Sequence, residues 1–135
     1  MSLEKINLIS YLLLFLTGAM VGVMDKLQFH YLSSIFSTFK NQKFYNPKLS
    51  WENKWKWHYE VKGGHPVPVK KERFWGSSTI FVWTTDAWHS YKFIMLKFLF
   101  LSVLFHNEFT WWDIPGVCMY YAGFWVTFES NLLKK

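Results

Sequence analysis

Hydrophobic residues in this chain are concentrated in three long stretches, which are separated by one polar segment and one short connection. The first stretch covers residues 6–24, nineteen positions without a charged side chain, and is long enough to cross a bilayer as a helix. The second covers about 79–105 and the third about 111–133. The pattern predicts an all-α integral membrane helical bundle with about three transmembrane helices. With 135 residues the chain has room for a single membrane domain, 1–135.

The first stretch also has features of a secretory signal peptide, which is removed from the mature protein. Its flanks argue against that interpretation. One Lys before the stretch is balanced by one Glu, and no motif of small residues suited to cleavage closes the apolar run. We therefore expect this segment to remain attached as the first span.

The connection between the second and third stretches is residues 106–113, which is short enough to join two neighbouring helices as a hairpin. Pro115 then falls in the first turn of the returning helix, where a missing backbone N–H is tolerated. We expect the second and third helices to be antiparallel.

The distribution of Lys and Arg predicts the orientation, because these residues resist translocation across the membrane. The loop 25–78 has nine Lys and one Arg against four acidic residues, a net charge of +6, whereas 106–113 has neither Lys nor Arg. The chain ends in Lys134 and Lys135. Three spans therefore place the N-terminus outside, and the basic loop and the C-terminus in the cytoplasm.

Aromatic residues make up 22% of the chain, and nine of them are Trp. A bilayer accepts so many rings more readily than a small water-soluble core, because Trp and Tyr favour the interface with water. We therefore expect an aromatic belt. Cys118 is the single cysteine, which excludes an intramolecular disulfide and a metal site made of several thiolates.

Part of the basic loop has the periodicity of an amphipathic helix. Within residues 27–39, one helical face carries the large apolar side chains of Phe29, Leu32, Ile35, Phe36 and Phe39. This face can lie on the membrane surface or pack against the spans, and the sequence does not separate the two. Both interpretations place an interfacial amphipathic helix here.

The next part of the loop is basic and rich in aromatic residues. Trp51, Trp55 and Trp57 are interleaved with Lys54, Lys56 and His58. Such a pattern can bind single-stranded nucleic acid. We prefer an interfacial anchor on anionic lipid head groups, because Trp and Lys are typical of the cytoplasmic membrane surface. Gly63, Gly64, Pro66 and Pro68 are expected to break regular structure, so no fold is predicted for residues 40–78.

Ionisable residues beside membrane spans are costly, so each is a functional hypothesis. Five of them fall at the cytoplasmic boundary of the predicted bundle: Asp25, His30, Asp86, His89 and Glu129. Imidazole and carboxylate groups suit a divalent metal such as Zn, Mn or Fe, and all five are candidate ligands. The alternative is that these groups satisfy one another inside the bundle.

Asp86 and His89 are the most informative pair, because a spacing of three places both on one helical face. Without a metal, His89 is a candidate general base that Asp86 orients, which makes both of them candidate catalytic residues. Lys54 and Lys92 are candidate substrate-binding residues, because an ammonium group can bind a phosphate.

Four short blocks near these residues carry a resemblance to known proteins. They are Asp25-x-Leu27-x-Phe29-His30-Tyr31, Asn46-Pro47, Ser50-Trp51-x-Asn53-Lys54 and Thr85-Asp86-Ala87-Trp88-His89. They look like blocks of small uncharacterised membrane proteins of Bacteroidetes bacteria and their phages. The resemblance covers about half of the chain, residues 25 to 89. It implies a bacterial or phage membrane protein, with the inner membrane as the expected location, and no activity that can be transferred.

Two classes of function remain in view. The first is an accessory or structural membrane component that packs against lipid, another membrane subunit or a second copy of itself. The alternative is an interfacial hydrolase or transferase that uses a metal or the His/Asp pair and acts on lipid head groups or a lipid-linked substrate. The HExxH and Gly-x-Ser-x-Gly motifs are absent, so an enzyme would not belong to those familiar classes. A small pore ranks last, because three short spans would need an oligomer.

Overall fold

The computed structural model describes residues 3–106 and 113–135. Three long helices form a bundle, and a smaller folded segment connects the first of them to the second. In chain order the helices and strands are α1 (Leu3–Phe29), α2 (Gln42–Tyr45), α3 (Pro47–Ser50), β1 (Trp55–Lys62), β2 (His65–Glu72), α4 (Ala87–Leu104) and α5 (Asp113–Phe128). Short 3-10 turns lie between several of them.

Helix α1 lies between α4 and α5 and packs on both. The Ser10 hydroxyl donates to the Ser102 carbonyl at 2.9 Å, and Leu27, near the other end of α1, shares a core cluster with Ala87. Helices α1 and α4 are therefore antiparallel. Gly18 and Gly22 meet successive turns of α5, so α1 and α5 are parallel. It follows that α4 and α5 are antiparallel, as the short connection between them predicts.

The connecting segment and the C-terminus lie at the same end of the bundle. The Lys135 backbone N–H donates to the Ser33 carbonyl at 2.9 Å, and Lys134 forms an isolated antiparallel bridge with Ser34. A small apolar core there joins Leu27 to the buried rings of Tyr31 and Phe36. The segment after α1 is thereby packed onto the end of the helices.

Small residues allow α1 and α5 to approach closely. A β-carbon on Gly123 would lie 1.9 Å from the Phe15 carbonyl oxygen, and one on Gly18 would lie 1.9 Å from the Tyr120 carbonyl oxygen. Gly18 and Gly22 form a Gly-x-x-x-Gly pattern, which brings helix backbones together in membrane proteins. The contact leaves no room for a side chain at these positions.

The bundle buries small polar residues and exposes large apolar ones. Ser10, Thr17, Ser102 and Thr127 are buried between the helices. Large apolar side chains point outward instead, including Phe100 and Leu104 on α4 and Trp125 and Tyr121 on α5. In a water-soluble helical bundle such large side chains would lie in the core, as only some of them, including Val23, Met24 and Leu27 of α1, do here.

One helix in the described part of the chain is long and apolar enough, by length and composition, to cross a membrane. It is Leu8–Phe29, 22 residues with a mean hydropathy of 1.8. It contains most of the first predicted span, 6–24. The other two predicted spans correspond to shorter helices. Residues 79–86 are turns before α4 begins, and α5 ends at Phe128, followed by a 3-10 turn at Asn131–Leu133. Residues 111–112 of the third predicted span and 107–112 of the connection lie outside the described residues.

The predicted amphipathic helix over 27–39 is wrong. Helix α1 ends at Phe29, and two 3-10 turns follow at Tyr31–Ser33 and Ile35–Thr38. The cause is the run of hydroxyl residues, because Ser33, Ser34, Ser37 and Thr38 each donate to the carbonyl three positions earlier. The apolar residues therefore do not share one face: Phe36 is buried, while Phe29 and Leu32 are exposed.

The prediction of an all-α fold is wrong for the basic loop. Strands β1 and β2 form an antiparallel hairpin whose register pairs Trp55 with Glu72 and Lys62 with His65. Gly63 and Gly64 make the two-residue turn with positive φ angles of 60° and 83°, which glycine adopts without strain. Pro66 and Pro68 are tolerated in β2 because this strand has a free edge.

Candidate functional site

The candidate site lies where α4 begins, at the end of the bundle that carries the connecting segment. Asp86 is the N-cap of α4, and its Oδ1 accepts from the His89 backbone N–H at 2.9 Å. An N-cap carboxylate satisfies a free donor of the first turn and interacts favourably with the positive end of the helix dipole. Asp86 thus sits just before the helix, so capping, rather than a shared helical face, brings it to His89.

The His89 ring contacts the same carboxylate. Its Nδ1 lies 2.8 Å from Oδ1 and 2.7 Å from Oδ2 of Asp86. An ionised carboxylate only accepts hydrogen bonds, so Nδ1 must carry the proton. In the neutral ring the lone pair is then on Nε2. The His89 side chain is 28% exposed and that of Asp86 only 5%, so the histidine is the member of the pair that a solute can reach.

Lys54 completes the local charge distribution. Its Nζ lies 3.8 Å from Asp86 Oδ2, and both side chains are largely buried. Burial alone would raise the pKa of Asp86. The hydrogen bonds from the His89 ring and backbone N–H, together with the charges of His89 and Lys54, outweigh burial and hold the pKa of this carboxyl below its ordinary value. Asp86 is therefore ionised at neutral pH.

Backbone and side-chain hydrogen bonds hold the turn that carries Lys54 against the start of α4. The Asn53 side-chain amide donates to the Thr85 carbonyl at 2.9 Å and also to the Lys43 carbonyl. The Lys54 carbonyl accepts from the Ser77 hydroxyl at 2.7 Å and from the Arg73 backbone N–H at 3.0 Å. Asn53, Ser77 and Arg73 therefore position the turn that carries Lys54.

A cavity of about 270 Å³ opens beside this cluster. Lys54, Asp86 and His89 form its polar side, and Trp51 and Trp88 are among its aromatic walls. The cavity is large enough for a small polar group such as a lipid head group. The arrangement can bind a negatively charged group through Lys54 and can move a proton through His89 Nε2.

The structure brings two of the five predicted metal ligands into contact, Asp86 and His89. His30 is exposed and its ring packs edge-on against Phe128, with the centroids 5.3 Å apart. Asp25 is half-buried on α1, and Glu129 is exposed just after α5. Within residues 3–106 and 113–135, no three His, Cys, Asp or Glu side chains are close enough together to hold a metal ion. A site for Zn, Mn or Fe stays a prediction that this geometry does not support.

The predicted substrate-binding lysines have different surroundings. Lys54 lines the cavity beside Asp86. Lys92 is exposed, and its Nζ lies 4.9 Å above the Trp88 ring in a cation–π contact. Lys92 is thus directed to the aromatic wall of the site.

Lys26 has a role in the fold that the sequence patterns do not indicate. It is 5% exposed, and its ammonium group donates to the Phe128 carbonyl at the end of α5. The same group lies 5.1 Å from the centre of the Phe128 ring. A cation at a helix C-terminus stabilises the free carbonyls and the negative end of the dipole. The available indication was a Lys two positions after the end of an apolar run, preceded by Asp25.

A second, larger cavity of about 580 Å³ lies between the three long helices, at the end away from the connecting segment. Its walls are mostly apolar, with Tyr11 and Tyr120 among them. His106 Nε2 and Asp113 Oδ1, 2.8 Å apart, lie at this end and join the end of α4 to the start of α5. This contact holds the end of α4 close to the start of α5.

In comparisons with known proteins, no family model, no curated protein and no solved structure matches this chain.

Proposed function

We propose that this chain is an integral membrane protein in which α1, α4 and α5 cross the bilayer, and that it acts as an accessory or structural membrane component. The observation that supports the proposal is the distribution of side chains in the bundle: large rings on α4 and α5 face outward, while small polar side chains lie between the helices. Phe100 is 63% exposed and Trp125 is 61% exposed, while Ser10 and Thr127 are buried. In water, a fully exposed apolar side chain forgoes roughly 1.5–3 kcal/mol of burial free energy and a partly exposed ring forgoes a share of it, whereas lipid removes that cost. Small and polar residues between the helices suit packing in lipid.

The helix lengths are compatible with this arrangement. Helix α4 has 18 residues and α5 has 16, so they extend about 27 Å and about 24 Å. A hydrocarbon core is about 30 Å thick, and a short span is accommodated by local thinning of the bilayer and by polar residues that reach the interface. The longer α1 spans that thickness and continues into the connecting segment.

The proposed orientation places the connecting segment and the C-terminus in the cytoplasm, with the N-terminus outside a bacterial inner membrane. It follows from the net charge of +6 on residues 25–78 and from Lys134 and Lys135 at the same end of the bundle. The basic segment would then face anionic lipid head groups. Its partners are the bilayer and, on the exposed faces of α4 and α5, another membrane subunit or a second copy of this chain.

The accessory role is supported by how completely the ionisable cluster is satisfied. Asp86 caps α4, holds the His89 ring and pairs with Lys54, so the three groups stabilise one another. A buried charge of this kind is retained in a bundle when its partners are present. The cluster then has a structural role: it holds the connecting segment, through Lys54, against the start of α4.

Cysteine accessibility tests the proposal. In a Cys118→Ala background, a membrane-impermeant maleimide should label Lys62→Cys only from the cytoplasmic side. It should label Asn107→Cys, a position outside the described residues, only from the opposite side. The protein should stay in the membrane fraction after carbonate washing and be released by detergent. Recovery of intact protein in an aqueous supernatant, or cytoplasmic labelling of Asn107→Cys, would contradict the proposal.

A second candidate function is an interfacial hydrolase or transferase that acts on lipid head groups or a lipid-linked substrate. The observation that favours it is the Nε2 lone pair of His89 on a cavity that also holds Lys54. His89 would act as general base, Asp86 would orient it, and Lys54 would bind a phosphate of the substrate. His89→Gln should then abolish activity on head-group substrates while the unfolding temperature in detergent stays close to wild type. If His89→Gln unfolds at a lower temperature than wild type and the wild-type protein has no measurable turnover, the result contradicts the enzymatic function and favours the accessory role.

A further inference from the structure

Two further cavities lie side by side on the connecting segment between α1 and α4 and share part of their walls. Their volumes are about 460 Å³ and about 280 Å³. Lys43, Asn53 and Arg73 line both of them. Two cations and one amide therefore stand where the cavities meet. None of these three residues lines the cavity that contains His89, although Trp51 lines both that cavity and the smaller of these two.

Asn53 positions the arginine. Both hydrogen bonds of its Nδ2 go to backbone carbonyls, those of Thr85 and Lys43, so the orientation of the amide is determined. Its Oδ1 then accepts from Arg73 Nη1 at 3.4 Å, and the Arg73 backbone N–H is bonded to the Lys54 carbonyl at 3.0 Å. One nitrogen of the guanidinium, Nη1, thereby donates to a neutral acceptor.

In the part of the chain that the structure describes, neither of the neighbouring carboxylates forms an ion pair with this arginine. Glu72 uses both oxygens on the turn that follows β2, accepting from the Gly76 N–H at 3.0 Å and from the Ser78 N–H at 3.1 Å. The Ser78 hydroxyl and these two backbone N–H groups lower the pKa of Glu72. Its carboxylate is therefore ionised, and both of its oxygens already accept hydrogen bonds. Glu52 lines the smaller cavity. Within the described residues, no ion pair joins Glu52 or Glu72 to Arg73 or Lys43.

A third cation extends the positive potential of the smaller cavity. Lys70 Nζ lies 4.2 Å above the Trp51 ring and 4.9 Å above the Trp57 ring, and all three residues line that cavity. The two rings hold the ammonium group in place without cancelling its charge. The walls therefore combine positive charge with flat aromatic surface.

We propose that Arg73 and Lys43 bind a phosphate group at the junction of these two cavities, with Asn53 as a positioning residue. The remaining guanidinium N–H groups can bond two phosphate oxygens as a fork, which is the geometry that arginine offers to phosphate. Lys43 adds a second charge, and Trp51 offers a surface for the organic part of a phosphoester. The phosphate belongs either to a phospholipid head group or to a free phosphate in solution. The site does not depend on whether α1, α4 and α5 span a membrane.

Binding to full-length protein in a neutral detergent tests the site with two probes. Inorganic phosphate is titrated calorimetrically, and phosphatidylglycerol in mixed micelles is compared with phosphatidylcholine by native mass spectrometry. At least one probe should bind, and Arg73→Gln should weaken it about tenfold or more, because a charge-assisted, two-pronged contact is lost. Binding of inorganic phosphate would identify a free phosphate as the source. Binding of phosphatidylglycerol alone would identify a lipid head group.

Two variants make the outcome decisive. Lys62→Gln removes the same charge from the exposed end of β1, which lines neither cavity, and should bind both probes like wild type. Lys43→Gln changes an exposed side chain, so it keeps the test valid if Arg73→Gln unfolds. Equal binding by wild type, Arg73→Gln and Lys43→Gln, or no binding of either probe by folded wild type, would overturn the proposal. Equal weakening by Lys62→Gln would also overturn it, because only net charge would then matter.

Discussion

Gly123 on α5 is, like Gly18 on α1, a position where a single methyl group should strongly perturb the bundle. Two effects of Gly123→Ala have opposite signs. Alanine is the better helix former by about 1 kcal/mol. Its β-carbon, however, would lie 1.9 Å from the Phe15 carbonyl oxygen and 2.9 Å from the Ala19 nitrogen. Ordinary contact begins near 3.4 Å, and backbone atoms cannot rotate away, so α5 must move from α1 by roughly 1.5 Å.

The cost of that movement exceeds the gain in helix propensity. Overpacking of a close interface costs about 1–3 kcal/mol. The movement also stretches the bond from the Thr127 hydroxyl to the Ala19 carbonyl, now 2.9 Å, and such interhelical bonds are worth about 0.6 kcal/mol in membrane bundles. We expect Gly123→Ala to lower the free energy of unfolding by about 1–2 kcal/mol, and Gly123→Leu by more.

Thermal unfolding in detergent, followed by helical circular dichroism, measures the effect. Ala122→Leu is the matched control, because Ala122 is the adjacent residue and is exposed on the outer side of α5. It should unfold within a few degrees of wild type. If Gly123→Leu unfolds at the same temperature as Ala122→Leu, or if Gly123→Ala is more stable than wild type, the close approach of α1 and α5 is refuted.

Three further outcomes test the ionisable groups. Lys26→Met should destabilise the protein by about 1 kcal/mol in the same assay, because α5 loses the cation at its C-terminus, whereas Lys62→Met, at the exposed end of β1, should not. Asp86→Leu and His89→Leu should each cost about 1–3 kcal/mol, yet the double variant should cost less than the sum of the two, and additive losses would contradict their pairing. The pKa of Asp86 is lowered in the folded state, so its contribution to stability is present above the ordinary Asp value of about 3.9 and is lost as the pH falls through the folded-state pKa. The gap in unfolding temperature between wild type and Asp86→Asn should therefore close on acidification from about pH 6 to pH 2, and a constant gap would count against this assignment.

The helical bundle and the relative directions of its helices followed from the order of apolar stretches. A long apolar run favours a helix, because the backbone groups of a helix bond within the segment, although residues 79–86 at the start of the second run form turns. The short connection then requires the next two helices to be antiparallel. The Gly-x-x-x-Gly spacing of Gly18 and Gly22 is a signal from which close helix packing could have been predicted, but the sequence does not indicate its partner, because α5 lies about a hundred residues further along the chain.

The basic loop shows where periodicity misleads. Residues 27–39 have helical spacing, yet Ser and Thr hydroxyls bond to nearby carbonyls and convert the segment to 3-10 turns. In contrast, the alternation of Trp55, Trp57 and Tyr59 before Gly63-Gly64 is the pattern of a hairpin with a two-residue turn. As breakers of regular structure these glycines predict an interruption, although they are the residues that this turn requires.

The candidate site combines both kinds of information. Asp86 and His89 are three residues apart, so local geometry alone brings the N-cap carboxylate to the ring. Lys54 reaches the same carboxylate from a turn that Asn53 and Ser77 hold in place, and no spacing in the chain indicates that contact. Interactions within one helical turn depend on neighbours in sequence and can be predicted from it. Contacts between distant segments depend on which polar groups remain unsatisfied once the helices have packed, so they become visible only in the folded molecule.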